Sequence, residues 1–531
     1  MYNISMKNLP LSIQTFSDMI TRDYLYVDKT KEIYNLFTQG GKYYFLSRPR
    51  RFGKSLLIST LAEIFSGNKE LFKGLWIYDK IEWAQYPVLH IDFSKIEFET
   101  PKKLKKSIKK FLYEKALSYG ISLDEEKSYK EIFVELIEKL SSRGRVVILV
   151  DEYDKPIIEF IETEKVATAR ANQRVLKNFY AVIKGSDKYI HFVMITGVSK
   201  FSRMSIFSDL NNLNDITIDE RFSTLLGLTH DELLDYFSDR IDRLSKKLKM
   251  PGQDFLNYVK QWYNGYSWDA CHFLYNPFSI INFFSKNRFG NYWFSTGTPT
   301  FLIHHIKKQG KDIRELEKEE VDDSIFESYD IENLEIISML FQTGYLTLKE
   351  IRPVGIKSQY ILSYPNEEVK ESFLKHFLAD YTTAETGIVG SRILDLVKTI
   401  TTDDLENFFT IIKSLFATIP SHLFIGDSEA YYHTVIYLVL ELLGTNIQVE
   451  VHTNKGRIDA VIETASHIYI MEFKMGTPAK ALSQIEARKY HERYSAAGKT
   501  VRLIGVGFSS LERNISGYQE VKTISLKNNH K

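Results

Sequence analysis

Two separated groups of residues have the types and spacing to handle phosphoryl oxygens. The first begins in LSRPRRFGKSLLIST, residues 46–60. A phosphate-binding loop reads G-x-x-x-x-G-K-[ST]. Here Gly53, Lys54 and Ser55 supply the second glycine, the lysine and the hydroxyl, while Arg48 stands where the first glycine would be. The run Arg48, Pro49, Arg50, Arg51, Phe52, Gly53, Lys54, Ser55, Leu56 lies between an apolar strand pattern and an amphipathic helix pattern. That context sets successive N–H groups and a helix N-terminus around an anion. Lys54 would reach the terminal phosphates of a nucleotide, and Ser55 would ligate Mg²⁺ through its hydroxyl. The stretch VVILVDEYD supplies carboxylates at a strand end. Asp151 is suited to hold the magnesium through water, and Glu152 to orient or deprotonate an attacking water. Neighbouring side chains on a strand point to opposite faces, so both address one site only if the chain turns there. Thr196 closes the strand HFVMIT and would either sense the terminal phosphate or cap the strand end. Lys200, Arg203 and Arg221 are equivalent candidates for a charge clamp, in cis or across the subunits of a homo-oligomer.

The second group lies in VHTNKGRIDAVIETASHIYIMEFKM, residues 451–475. Glu472 and Lys474 are two apart and share one face of a strand. Ionisable groups in an apolar strand are costly unless paired or metal-bound. Asp459 and Glu472 would ligate Mg²⁺, or Mn²⁺ in its place. Such an ion polarises a phosphodiester and lowers the pKa of bound water. Lys474 would position that water and offset charge on the phosphorane. Glu429, opening the helix pattern EAYYHTVIYLVLELL, would complete the acidic cluster, with Glu441 as the fallback three turns deeper. E-x-K alone is common; the ordered set of helix, strand with Asp459, strand with Glu472 and Lys474, then helix is what carries the reading.

These groups require a scaffold. KYYFLSRP, PVLHIDFS, RVVILVDEYD and YIHFVMITGVSK read as strands without polar alternation, separated by helical patterns. This predicts a mostly parallel sheet covered on both faces, a P-loop NTPase-like α/β domain over residues 1–225. In KKLKKSIKKFLYEKAL, Leu104, Ile108 and Leu112 recur at helical spacing, and the lysines read as a solvated face. Residues 226–390 read as a mainly helical region with aromatic-rich turns, and Thr229 with Glu232 forms a capping box. Residues 391–531 begin with helices and end in an α/β block ordered helix, strand, turn, strand, helix, strand.

The 531-residue chain is 44% hydrophobic and 26% charged, with a net charge of +1, so any nucleic-acid contact must come from a local patch. One cysteine, Cys271, excludes an internal disulfide framework and a cysteine-built zinc site. No signal-like run opens the sequence and no apolar run reaches the length of a membrane span, so a cytoplasmic protein without membrane contact is expected.

RPRRFGKSL, LVDEYDKP, TGVSK with SIFSDLNNLNDIT, WYNGY, and YNPFSI with Tyr292-Trp293 resemble the AAA-ATPase-like family common in bacterial genomes, over about residues 5–300. In that family an arginine-rich loop stands in for the glycine-led one. The resemblance implies ATP binding, with hydrolysis inferred for the family. GRIDAVIE, YIMEFK and AKALSQIEARKY resemble the PD-(D/E)XK nuclease superfamily over about residues 420–520, which implies a restriction-endonuclease-like α/β fold. Gln484 and Tyr490 fall in its Q-I-x4-Y segment, where they would orient the lysine, touch phosphate, or pack the helix on the sheet. Ile458 replaces the proline that precedes the first aspartate. The combined expectation is an ATP-regulated or ATP-driven, metal-dependent nuclease acting on DNA. The rival expectation is a nucleotide-gated switch that binds nucleic acid or protein and whose nuclease fold does not cut.

Overall fold

The computed structural model describes residues 6–38, 40–161, 165–200, 206, 207, 210, 212–294, 300–309, 312–326, 335–420, 429–444, 447–453, 456–494 and 498–523. They fall into two compact units, Met1–Leu302 with Leu316–Val369, and Ile303–Glu315 with Lys370–Lys531. Among the described residues no helix is long and apolar enough to cross a membrane.

The first unit is built on five parallel strands: β1 (Tyr43–Ser47), β2 (Val88–Asp92), β3 (Val146–Asp151), β4 (Ile190–Gly197) and the short β5 (Asn214–Asp215). The four long runs read from sequence are β1–β4. Every residue of β1 and β3 is buried, as strands covered on both faces require. The helices Pro101–Ser118, Tyr129–Ser141 and Val166–Gly185 pack one apolar stripe each into a core shared with the sheet; Leu104, Ile108 and Leu112 lie in it as their spacing predicts. The strand order β2-β3-β4-β1-β5 is what positions the chemistry. β4 separates β1 from β3, so the ends of three strands, carrying Ser47, Thr196 and Asp151, stand side by side at one edge. The sheet is typical of P-loop NTPase folds.

The region that follows is largely helical: His230–Leu248, Gly252–Tyr263 and Pro277–Lys286 form a second core around Phe237, Phe255 and Phe283. Thr229 and Glu232 make the anticipated capping box. Two small sheets were not anticipated. One is the hairpin β6 (Asn264–Tyr266) with β7 (Leu274–Tyr275); the other joins β8 (Glu319–Val321), β9 (Thr347–Val354) and β10 (Lys357–Ser363) in the order β8-β10-β9. In β9 only Thr347 and Leu348 are buried, so its sequence carries no alternation to read.

The second unit contains the helices Thr386–Thr401, Leu405–Ala417 and Glu429–Glu441, then a sheet of β11 (Ile447–Thr453), β12 (Gly456–Glu463), β13 (His467–Met475), β14 (Thr500–Ser509) and β15 (Asn514–Thr523) in sequential order. β11 and β15 add to the two central strands and the following strand that the sequence showed. Only the β13–β14 pair is parallel. A parallel pair needs a crossover, and the helix Pro478–Arg488 provides it. That helix lies close on β14 because Gly505 has no side chain: a Cβ there would meet Leu482 N and Pro478 O, each at 2.4 Å. The mixed sheet is consistent with a restriction-endonuclease-like α/β fold.

Candidate active sites

At the end of β1 the chain turns through Arg48–Gly53 into the helix Lys54–Phe65. Arg51 (φ 64°) and Gly53 (φ 98°) are both left-handed. Glycine takes that conformation freely, whereas for arginine it costs about 1–2 kcal/mol, so the loop is held against a local preference. Gly53 occupies the N-cap, and its lack of a capping side chain leaves the first-turn N–H groups to address an anion. Lys54 is buried, and its Nζ donates to the carbonyls of Arg48 (2.8 Å) and Pro49 (2.9 Å). Burial lowers its pKa, and Asp151, Asp154 and Glu152 in turn oppose that shift.

Beyond Asp151, Glu152 is itself left-handed (φ 52°), so the chain turns between the two acids. Asp151 is buried, and its Oδ1 accepts from Thr196 Oγ1 (2.8 Å) and from the Glu152 N–H (3.1 Å). Glu152 pairs with Lys155 at 3.2 Å. A cavity of about 510 Å³ has Arg50, Arg51, Gly53, Lys54, Ser55 and Glu152 among its lining residues, and Phe52 and Leu56 join its wall. Tyr26, Leu226, Phe278 and Ile281 add apolar surface to its lining.

The other predicted residues are placed differently. Asp151 and Thr196 are buried and are not among the residues lining the cavity. Arg48 and Pro49 also do not line it. The Arg48 guanidinium is buried 3.9 Å over the Trp268 ring and donates to the carbonyls of Ser47 (2.9 Å) and Thr217 (2.7 Å). Lys200 is buried and paired with Asp215 at 2.8 Å, and Arg221 is paired with Asp219 at 2.6 Å. Arg203 lies outside the described residues. Asp154, the last acid of DEYD, carried no expectation from sequence. It is buried, and its Oδ2 accepts from the N–H groups of Val198 (3.0 Å) and Ser199 (2.8 Å), tying the end of β3 to the end of β4.

In the second unit β12 and β13 run side by side and bring the second acidic pair together. Asp459 is buried and its Oδ2 accepts from the Phe473 N–H at 2.9 Å, next to Glu472 in the chain. Glu472 is also buried; its Oε1 accepts from Gln484 Nε2, while among the described residues its Oε2 has no hydrogen-bond partner. Burial first, and then Asp459, pushes the Glu472 carboxyl up to about 7, with Lys474 pulling it back down. A buried carboxylate oxygen beside a second carboxylate costs free energy unless a cation or proton takes it up, so the donor set fits a hard divalent ion. Among the described residues no group of three or more His, Cys, Asp or Glu side chains is arranged to hold a metal. Glu429 opens its helix as expected, but its side chain lies outside what is described. Glu441 is paired with Lys370 at 2.6 Å. Tyr490 is buried, and its hydroxyl accepts from Arg488 at 2.9 Å.

Comparison with known proteins agrees with both folds. Residues 10–207 match the family described as Predicted AAA-ATPase, and residues 427–517 match the PD-(D/E)XK nuclease superfamily. A protein of Azotobacter chroococcum mcd 1, described as an uncharacterized protein in the vnfD 5' region, is 38% identical over 526 residues, covering 97% of this chain and 99% of its own. The chain belongs to the AAA-ATPase-like family and carries a PD-(D/E)XK nuclease-superfamily domain. The AAA-ATPase-like match ends at residue 207, yet Leu226, Phe278 and Ile281 line the cavity beside its loop. The cavity beside the loop is therefore lined in this chain partly by residues beyond the matched segment.

Proposed function

We propose that the protein binds MgATP at the loop Arg50–Leu56 and hydrolyses it, and that this event regulates a metal-dependent cleavage of phosphodiester bonds in nucleic acid, DNA foremost, at Asp459, Glu472 and Lys474. The observation that supports the first half most directly is the shared cavity: Lys54 and Ser55 at a helix N-terminus line the same space as Glu152 from a different strand. Lys54 and the N–H groups of the loop would bind and orient the phosphates. Glu152 would orient a water and accept its proton. Ser55 would hold Mg²⁺ directly and Asp151, which does not line the cavity, through water; the ion neutralises charge on the phosphoryl oxygens when bound.

For the second half the support is the buried acidic pair with one unpartnered oxygen. Asp459 and Glu472 would hold Mg²⁺ or Mn²⁺, which when bound lowers the pKa of its water. Gln484 fixes the orientation of Glu472 through its amide. Lys474, on the same face of β13, would position the attacking water.

The test is phosphate release and nicking of single- and double-stranded DNA by the purified chain with Mg²⁺ or Mn²⁺, with and without ATP, beside Lys54→Ala and Asp459→Ala. Lys54→Ala should weaken MgATP binding by about a hundredfold or more, since it removes a charged hydrogen-bond donor. Asp459→Ala should leave ATP binding intact and abolish cleavage. Undiminished affinity in the first variant, or retained cleavage in the second, moves the respective chemistry elsewhere. A wild-type chain that releases phosphate but cuts neither substrate supports the nucleotide-gated switch instead.

A further inference from the structure

The motifs beyond residue 225 that the nucleotide reading leaves without a task converge on the phosphate loop. Trp268, from WYNGYSWD, lies under the Arg48 guanidinium. Phe52 meets Tyr266 and Trp268 edge-on, with ring centroids 5.0 and 5.2 Å away. The Arg51 guanidinium sits 5.1 Å from the Phe278 ring of YNPFSI. Pro49 abuts Gly344, where an added Cβ would lie 2.6 Å from Pro49 Cγ. Trp293 donates its indole Nε1–H to the Arg50 carbonyl at 2.9 Å. The backbone N–H of Trp293 in turn donates to Glu368 Oε1 at 2.6 Å, and Ser279 Oγ donates to Glu368 Oε2 at 2.6 Å. Each residue from Arg48 to Phe52 thus has a partner drawn from residues 266–344.

The chemistry of the loop makes those partners necessary. Arg48 replaces the glycine that would ease the turn, and Arg51 is held left-handed at a cost. In a planar trans peptide the carbonyl and the following N–H point in opposite directions. Holding the Arg50 carbonyl toward Trp293 therefore holds the Arg51 N–H on the other side, where an anion can accept it. We infer that Trp293 and Glu368 are positioning residues for the phosphate loop: Trp293 aims the Arg50–Arg51 peptide, and Glu368, held by Ser279, fixes Trp293. The anion is taken from the proposed nucleotide reading; the aiming of the peptide does not depend on it.

Arg50 and Arg51 are exposed, so trypsin reads the freedom of this peptide directly. Limited proteolysis follows the population of locally opened chain when opening is fast. In the ligand-free full-length protein, Trp293→Phe keeps a ring but loses the N–H; cleavage after Arg50 and Arg51 should rise about tenfold, the scale of one hydrogen bond. Cleavage at the exposed lysines Lys102–Lys106 should not change. Ser279→Ala, which leaves Trp293 in place, should act in the same direction at smaller size. By calorimetry MgATP affinity should fall about tenfold in Trp293→Phe and hold in Phe294→Leu, which alters a ring packed beside Trp293. Unchanged cleavage at Arg50 and Arg51 overturns the inference. So does faster cleavage at every site, or equal loss of affinity in Phe294→Leu, either of which makes Trp293 a packing residue. If the wild type binds no MgATP while the cleavage pattern holds, the nucleotide reading fails and the aiming of the loop stands.

Discussion

Glu368 and Glu472 are both buried carboxyls pushed up to about 7, yet their surroundings separate them. Both oxygens of Glu368 accept hydrogen bonds from the protein, whereas among the described residues one Glu472 oxygen has no partner. The first is the signature of an internal tie; the second leaves an oxygen that a proton or a cation can take up. Burial is the main cause at Glu368, and its hydrogen bonds from Ser279, Trp293 and Tyr292 only partly offset it. Its folded value lies above its ordinary 4.5, so the folded state holds this proton more tightly than the unfolded chain. The associated stability is complete below about pH 4.5 and is lost as pH rises through about 7. Glu368→Gln should therefore flatten the fall in thermal stability of the ligand-free first unit between about pH 5 and 8, read by scanning calorimetry. A slope identical to wild type would mean that Glu368 titrates as it does in the unfolded chain.

At the scale of elements, the helix Pro478–Arg488 shows how a backbone contact serves a side chain. It brings Gln484 to Glu472 only because β14 presents Gly505 beneath it. Gly505→Ala should lift the helix, cost about 1–3 kcal/mol by overpacking, and weaken Mn²⁺ binding more than Gln484→Ala does. Equal Mn²⁺ affinity in the Gly505 variant and wild type, by calorimetry, would show that the helix does not set the carboxylate. The same scale explains what the sequence made legible. β1–β4 were readable because mostly buried parallel strands are nearly continuous apolar runs, and β3 turns acidic at its last residue. β5 is two polar residues and offers no run at all. The DEYD and MEFK carboxylates stood out because charges in apolar strands are rare. Arg48 did not: its place in the motif pointed toward phosphate, while its side chain lies over Trp268, an aromatic far along the chain that no local pattern could pair with it.

At the scale of the whole molecule, the two candidate sites fall in different compact units, and the net charge of +1 gives neither a long-range field. Each ligand should then stabilise the unit that holds its residues. A ligand at a hundredfold excess over its Kd adds about 2.7 kcal/mol to the state that binds it. MgATP should raise one calorimetric transition and Mn²⁺ the other; a single transition moved equally by both would mean that the units melt as one.

The bond from Trp293 to the Arg50 carbonyl joins residues 243 positions apart. Protein synthesis at about 5–20 residues per second would leave the loop without this partner for roughly 10–50 s after its own emergence. During that interval a nascent chain would carry its arginines and lysine but not the geometry to grip a triphosphate. Capture of nucleotide would thus await the arrival of the later segment, and a chain released early from the ribosome would be born unable to fire.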